Sequence, residues 1–148
     1  MPIPAGGIVT AGQLGRIQPR TYRAPATGIL AGSVTNADVP GATVTFSTEA
    51  ANATYVVDAW FDFRVTGTSG TALGSGNIHV DGTLEAEYAV FRDSHAGSAA
   101  GTGSSVGHTY RGTLPAAGSH TIKLVASPSV GQQVNIYSSV TVTIYEVV

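Results

Sequence analysis

The chain has no cysteine, which excludes disulfides, thiolate metal sites and cysteine nucleophiles together. Charge is scarce: Asp, Glu, Lys and Arg make up 11% of its 148 residues, against roughly 25% in an average soluble domain. A formal net charge of −2 argues against a general nucleic-acid partner, which needs many phosphate-neutralising cations. Long apolar runs are missing as well. No stretch approaches the ~20 residues of a membrane span, and residues 1–25 lack the cation-led apolar core of a secretory signal. The expectation is a soluble product made in a cytoplasm, with no membrane partner.

Thr, Ser, Gly and Ala take the place of charge, as in β-rich proteins with small-residue loops. The chain organises around residues 53–66, ATYVVDAWFDFRVT. Side chains alternate along a strand, so Ala53, Tyr55, Val57, Ala59, Phe61, Phe63 and Val65 share one wholly apolar face. Thr54, Val56, Asp58, Trp60, Asp62, Arg64 and Thr66 share the other. A strand with one such face needs a sheet around it and a second layer over it.

Further strands with turn signals between them fill the rest: 29–34, 42–47, 76–80, 83–92, 106–114, 120–126 and 134–148. Asp38-Val39-Pro40-Gly41 reads as a turn, and Asp81-Gly82 as a type I′ hairpin turn. The returning strand 83–92 places Leu84, Ala86, Tyr88 and Val90 on one face and Glu85 and Glu87 on the other. Residues 95–107 read as a small-residue loop. The last strand turns Val134, Ile136, Val140, Val142 and Ile144 inward and Tyr137, Thr141, Thr143, Tyr145 and Val147 outward. About eight strands without intervening helices predict an all-β fold, an antiparallel sandwich of two sheets.

Residues 1–26 differ from the domain expected over 27–148. They hold Pro2, Pro4, Pro19 and Pro25, and their only charges are Arg16, Arg20 and Arg23. Thr10 with Gln13 resembles a capping box, and Leu14 with Ile17 supports a short helix over 11–17, stopped before Pro19. The alternatives are a disordered tail and an arm that orders on a neighbouring surface, its arginines meeting carboxylates.

Catalytic signals are weak. His79 and Asp81 share a strand face, but two ligands without a third do not make a metal site. The serines and four histidines could supply a Ser–His–Asp set, yet no nucleophile elbow is expected. Gly101-Thr102-Gly103 lacks the Gly-Lys-Ser/Thr of a phosphate loop. Asp58 and Asp62 lie about 13 Å apart along a strand, too far for paired glycosidase carboxylates. Neither an enzyme nor a cofactor is expected. Trp60, beside Val56 and the charges of its face, reads either as an aromatic on a solvated sheet or as the centre of a subunit contact.

The run from the Val-Pro-Gly turn (39–41) through YVVDAWFDFRV (55–65), Ile78–Gly82, TLPAAGSHTIKL (113–124) and VTIYEV (142–147) resembles the trimeric jelly roll of the tumour-necrosis-factor and complement-globular-head type. The opening VTAGQLGRIQP (9–19) is similar to minor capsid or tail proteins of actinobacterial tailed phages. That resemblance implies a virion protein, a homotrimer with an inner sheet around a threefold axis. Val56, Trp60, Tyr137 and Tyr145 then become subunit-interface candidates. Leu14, Arg16, Ile17, Arg20, Tyr22 and Arg23 become candidates for docking on the major capsid protein or another virion protein. The implied role is a capsid decoration or minor capsid protein on the virion surface, assembled in the host cytoplasm. A minor tail or tail-fibre protein touching the host, and a carbohydrate-binding module, are the alternatives.

Overall fold

A computed structural model describes residues 18–67, 72–93 and 101–146. Among the described residues every regular element is a strand: β1 (Arg20–Pro25), β2 (Leu30–Ala31), β3 (Ala37–Thr48), β4 (Ala53–Val65), β5 (Ala72–Val80), β6 (Thr83–Leu84), β7 (Ala89–Asp93), β8 (Gly103–Leu114), β9 (Gly118–Ser127), β10 (Gln132–Val134) and β11 (Ser139–Tyr145). They form two antiparallel sheets. Sheet A runs β1-β11-β4-β8, with β10 and β2 continuing beside β11 along the same edge of β4. Sheet B runs β3-β9-β5, with β6 and β7 both on the far edge of β5. The chain crosses between sheets at most steps, from β3 to β4 to β5 and from β7 to β8 to β9 to β10, which is jelly-roll connectivity.

β4 is the centre of sheet A, and its exposure alternates residue by residue as its sequence requires. Its apolar face is buried: Val57, Phe61, Phe63 and Val65 have no accessible surface. Phe61, Phe63 and Phe91 form a stacked row, with centroid spacings of 6.1 and 5.6 Å. Glycine in β5 makes room for that row, since a Cβ on Gly76 would sit 2.6 Å from the Phe61 ring.

Several expected elements differ. The first strand of the fold is β1, inside the expected arm, so the sandwich begins near residue 20 rather than 27. Tyr22 and Ala24 alternate inward with Thr21 and Arg23 outward, a period hidden in the sequence by Pro19 and Pro25. Of the expected strand 29–34 only Leu30–Ala31 pairs. The Val-Pro-Gly turn is a bulge within β3: the register with β9 shifts between Asp38 and Thr43, and Gly41 takes φ +79°. Pro40 is tolerated because β3 is an edge strand, where a missing N–H costs no rung. Of the loop expected over 95–107, residues 103–107 are strand, because β8 starts at Gly103 and pairs with β4 from there. The expected helix over 11–17 lies outside the described residues.

Two long strands are each interrupted by a four-residue excursion. Residues 85–88 separate β6 from β7; beyond them Ala89 and Phe91 pair with the inward Gly76 and Gly74 of β5 and face the core, while Tyr88 and Val90 are exposed. This reverses the expected face. Residues 135–138 separate β10 from β11, so Ile136 is exposed rather than inward. In both places four residues oppose two on the partner strand, since Gly76 and His79 pair with Ala89 and Leu84, and Trp60 and Phe63 with Ser139 and Val134. Each excursion adds an even number of residues, so the alternation stays in phase across it: Ala89 faces inward opposite Gly76, and Val140 faces inward as Val134 does. The Asp81-Gly82 turn takes φ +50° and +82°, the type I′ geometry its sequence predicts.

Candidate functional site

The outer face of sheet A collects the most chemistry. Cross-strand register sets its rows: Pro25, Ser139, Trp60 and Gly107; then Arg23, Thr141, Asp58 and Thr109; then Thr21, Thr143, Val56 and Arg111. Trp60 keeps 48% of its surface accessible and Tyr137 keeps 75%. Gly107 lets the indole lie down across β8, because a Cβ there would come within 2.7 Å of the ring. Together Arg23, Asp58, Trp60, Tyr137, Ser139 and Thr141 line a shallow recess.

The recess is held rigidly. Thr109 Oγ1 donates to Asp58 at 2.7 Å. Asp62 pins both ends of the 135–138 turn: its carboxylate accepts from Asn135 Nδ2 at 3.0 Å, its carbonyl from the Asn135 N–H at 2.9 Å, and its own N–H donates to Ser138 Oγ at 3.0 Å. Tyr137 therefore stands at the apex of a fixed turn beside Trp60. Val56 is half-buried four residues along β4, and Tyr145 pairs with Thr54, six residues from Trp60. At the rise of a strand that is roughly 20 Å. Trp60 and Tyr137 come together; Tyr145 lies at the other end of the same face.

Of the residues expected in a docking arm, Leu14, Arg16 and Ile17 lie outside the described residues. Arg20 is engaged inside the fold, donating to Glu146 at 2.5 Å. Tyr22 stacks on Phe46 at 5.5 Å. Arg23 belongs instead to the sheet A recess. Its membership follows from the Thr21/Arg23 alternation, which is visible once 20–25 is read as a strand.

The chemistry considered from sequence is distributed otherwise. Asp81 does not pair with His79; its carboxylate meets His120 Nδ1 at 2.7 Å and accepts the Thr121 N–H at 2.8 Å. Burial works against the Asp81 charge, but these two hydrogen bonds and the nearby His120 charge bring its pKa below the ordinary carboxylate value. Among the described residues no three His, Asp or Glu side chains are grouped to hold a metal. Gly103-Ser104-Ser105-Val106-Gly107 spells G-x-S-x-G, yet it lies within extended β8, where Ser105 Oγ donates to Asp62 at 3.3 Å. A nucleophile elbow needs a strand–turn–helix, and this segment has none. Burial first, and Glu85 second, push the Tyr55 phenol far above its ordinary value. Burial does the same to Tyr110.

No protein-family model matches the chain, and no curated protein does. Similar solved structures include infectious bursal disease virus, Gx strain (TM-score 0.49, 17% identity, 86% of this chain and 33% of that one). Eiger TNF from S. frugiperda is similar at TM-score 0.43 and 9% identity, over 83% of this chain and 91% of that one. The CBM36-1 domain of a multidomain xylanase from the hindgut metagenome of Trinervitermes trinervoides gives 0.42 and 11%, over 83% and 96%. The chain spans about a third of the viral chain's length. These are likenesses of fold among proteins of unrelated roles, and fold alone selects none of those roles.

Proposed function

We propose that this chain is a structural protein of a virus particle: a jelly-roll knob, assembled as a trimer through the outer face of sheet A. The observation that carries the reading is the rigid Trp60–Tyr137 pair standing in solvent on one sheet whose opposite face is fully core. Aromatic anchors with few charges mark interface centres. The same face carries Arg23, Arg64 and Arg111 beside Asp58 and Asp62, so it can meet its own copy with opposite charges paired. The sequence resemblance to phage virion proteins supports the tailed-phage setting and a capsid decoration or minor capsid role. Sedimentation of the purified protein should give three times the 15.0 kDa chain mass. A monomer at micromolar concentration would remove the trimer.

In this reading residues 1–19 dock the knob on the capsid. Deleting 1–18 leaves β1 intact and should give a folded, trimeric protein that no longer co-sediments with shells. Deletion through residue 25 would not test docking, because it strips β1 from β11. Undiminished shell association by the 1–18 deletion would sink the docking role.

A second reading follows from the recess itself. An indole and a phenol beside Asp58, Arg23, Ser139 and Thr141 offer stacking and hydrogen bonds to a sugar. It competes with the trimer for the same residues. Trp60 fluorescence that answers to a glycan in a monomeric protein would favour it.

A further inference from the structure

At the end of the sandwich where β4 stops, the turn 129–132 gathers its neighbours. Gln132 N–H donates to Ser129 O at 3.1 Å, closing a β-turn with Val130 and Gly131 at its corners; Gly131 takes φ +74°, as glycine at a second corner can. Ser33 N–H donates to Pro128 O at 2.9 Å and Asn36 N–H to Ser127 Oγ at 2.8 Å, which clamps residues 32–36 against this turn. Leu73 N–H of β5 donates to Ser129 Oγ at 3.3 Å. Each of the three segments holds an aliphatic side chain in solvent: Val130 is 69% exposed, Leu73 51% and Val34 37%. Exposed Ile29 and Ile136 continue this surface down the sheet A flank, and Tyr88 and Val90, which share a shallow recess with Leu73, continue it down the sheet B flank.

Charge is missing from the segments that meet here. Residues 24–37, 65–80 and 124–145 contain no Asp, Glu, Lys or Arg. It returns at the rim, where Arg64 stands opposite Gln133, and Arg92 and Asp93 opposite Leu73 and Ala72. The far end of the sandwich is the reverse, with Arg20 on Glu146, the Glu49 turn beside them, and Asp81 on Thr121. The length of β4, roughly 40 Å at the rise of a strand, separates the two ends. Residues 1–19 join the fold at the charged one, where Arg20 stands opposite Ile144.

We propose that the charge-free end is a membrane-contact tip, which seats Val34, Leu73 and Val130 at the acyl boundary of a bilayer with neutral headgroups. The shape and chemistry of the tip select lipid over protein. Protein interface cores use aromatic and arginine anchors on a surface that fits its partner. Here the protruding groups are aliphatic and come from three separate segments, and a fluid acyl layer moulds to such tips without a matching surface. With no cluster of cations, attraction rests on apolar burial and calls for no anionic headgroup. The carbonyls of Pro128, Ser129 and Gly131 already accept backbone hydrogen bonds, which lowers the cost of taking them out of water. A spanning segment is not required, because an interfacial contact reaches only about 5–10 Å into the bilayer. Neither the trimer nor the docking arm is needed either: none of Val34, Leu73 and Val130 lines the Trp60–Tyr137 recess, and the arm leaves from the other end.

Flotation of the full-length protein with phosphatidylcholine vesicles tests this. At ~1 mM lipid the protein should rise with the vesicles, and ~0.5 M NaCl should not release it. Val130→Asp should weaken binding about tenfold or more, and Val130→Phe should strengthen it about threefold. Val130 stands in solvent at a turn corner, so both variants should keep the wild-type circular dichroism. Should the aspartate variant fail to fold, the phenylalanine variant decides: stronger flotation supports the tip, and unchanged flotation ends it. Absence of wild-type flotation, equal flotation of all three proteins, or flotation that needs anionic lipid would overturn the proposal. So would lipid-free sedimentation in which Val130→Asp lowers the assembly mass, since that result gives the tip to a second copy of the chain.

Discussion

Trp60→Glu should give a folded protein of single-chain mass. The substitution removes the largest anchor on the sheet A face and puts a carboxylate where the trimer reading buries an indole. Anchors of this kind are worth about 2 kcal/mol or more at interfaces, hence at least ~30-fold in association. The fold should survive, because Trp60 is half exposed and its neighbours on the inner face, Ala59 and Phe61, are untouched. The check is sedimentation together with circular dichroism. As a control, the same charge at Thr45, on the exposed face of sheet B opposite Thr121, should leave the mass alone. A Trp60→Glu protein that keeps the wild-type mass would mean that the indole faces solvent or a ligand.

Glu146→Ala should be the most destabilising polar substitution in the fold. Glu146 is 8% exposed; its carboxylate binds Arg20 at 2.5 Å and also accepts the backbone N–H groups of Glu49 and Ala50. Charge-assisted hydrogen bonds contribute roughly twice what neutral ones do. Three are lost together, discounted because Arg20 is partly solvated and water can reach the β3–β4 turn, so the expected cost is about 3 kcal/mol. That corresponds to a fall of about 10 °C in Tm, measured at fixed protomer concentration since an oligomer's Tm depends on it. Glu146→Gln keeps one acceptor and should lose about half as much. A loss below ~0.5 kcal/mol for the alanine variant would show that the corner is held by the strand pairing alone.

What the sequence makes legible is whatever obeys an uninterrupted period of two. β4 is the clearest case: seven inward and six outward residues sort correctly from alternation, and with them Val56 and Trp60. The Asp81-Gly82 turn is legible because positive φ demands those residues. The misreadings begin where the period breaks. In LEAEYAV the even positions are the larger apolar ones, so Tyr88 and Val90 are expected inside, whereas the register with Gly76 and Gly74 of β5 turns Ala89 and Phe91 inward. Tyr137 is read as outward on a strand; it is outward, but as the apex of a turn that Asp62 fastens. β1 is missed because two prolines flank it and an edge strand tolerates them. The His120–Asp81 and Arg20–Glu146 pairs join residues 39 and 126 apart in sequence, and local pattern carries no information about such partners.

The corner where Arg20 meets Glu146 also fixes how the knob would answer to force. β1 is an edge strand, antiparallel to β11, and its first residue stands opposite Ile144 at that corner. Tension on residue 19 directed across the β1–β11 ladder would enter β1 at its first rung and break the pairs from Arg20↔Ile144 to Pro25↔Ser139 in sequence. This is peeling, in which rungs fail one at a time, and it yields at lower load than shear, in which they fail together. The ion pair to Glu146 sits at the leading end of that zipper, so it must rupture before any strand pairing is surrendered.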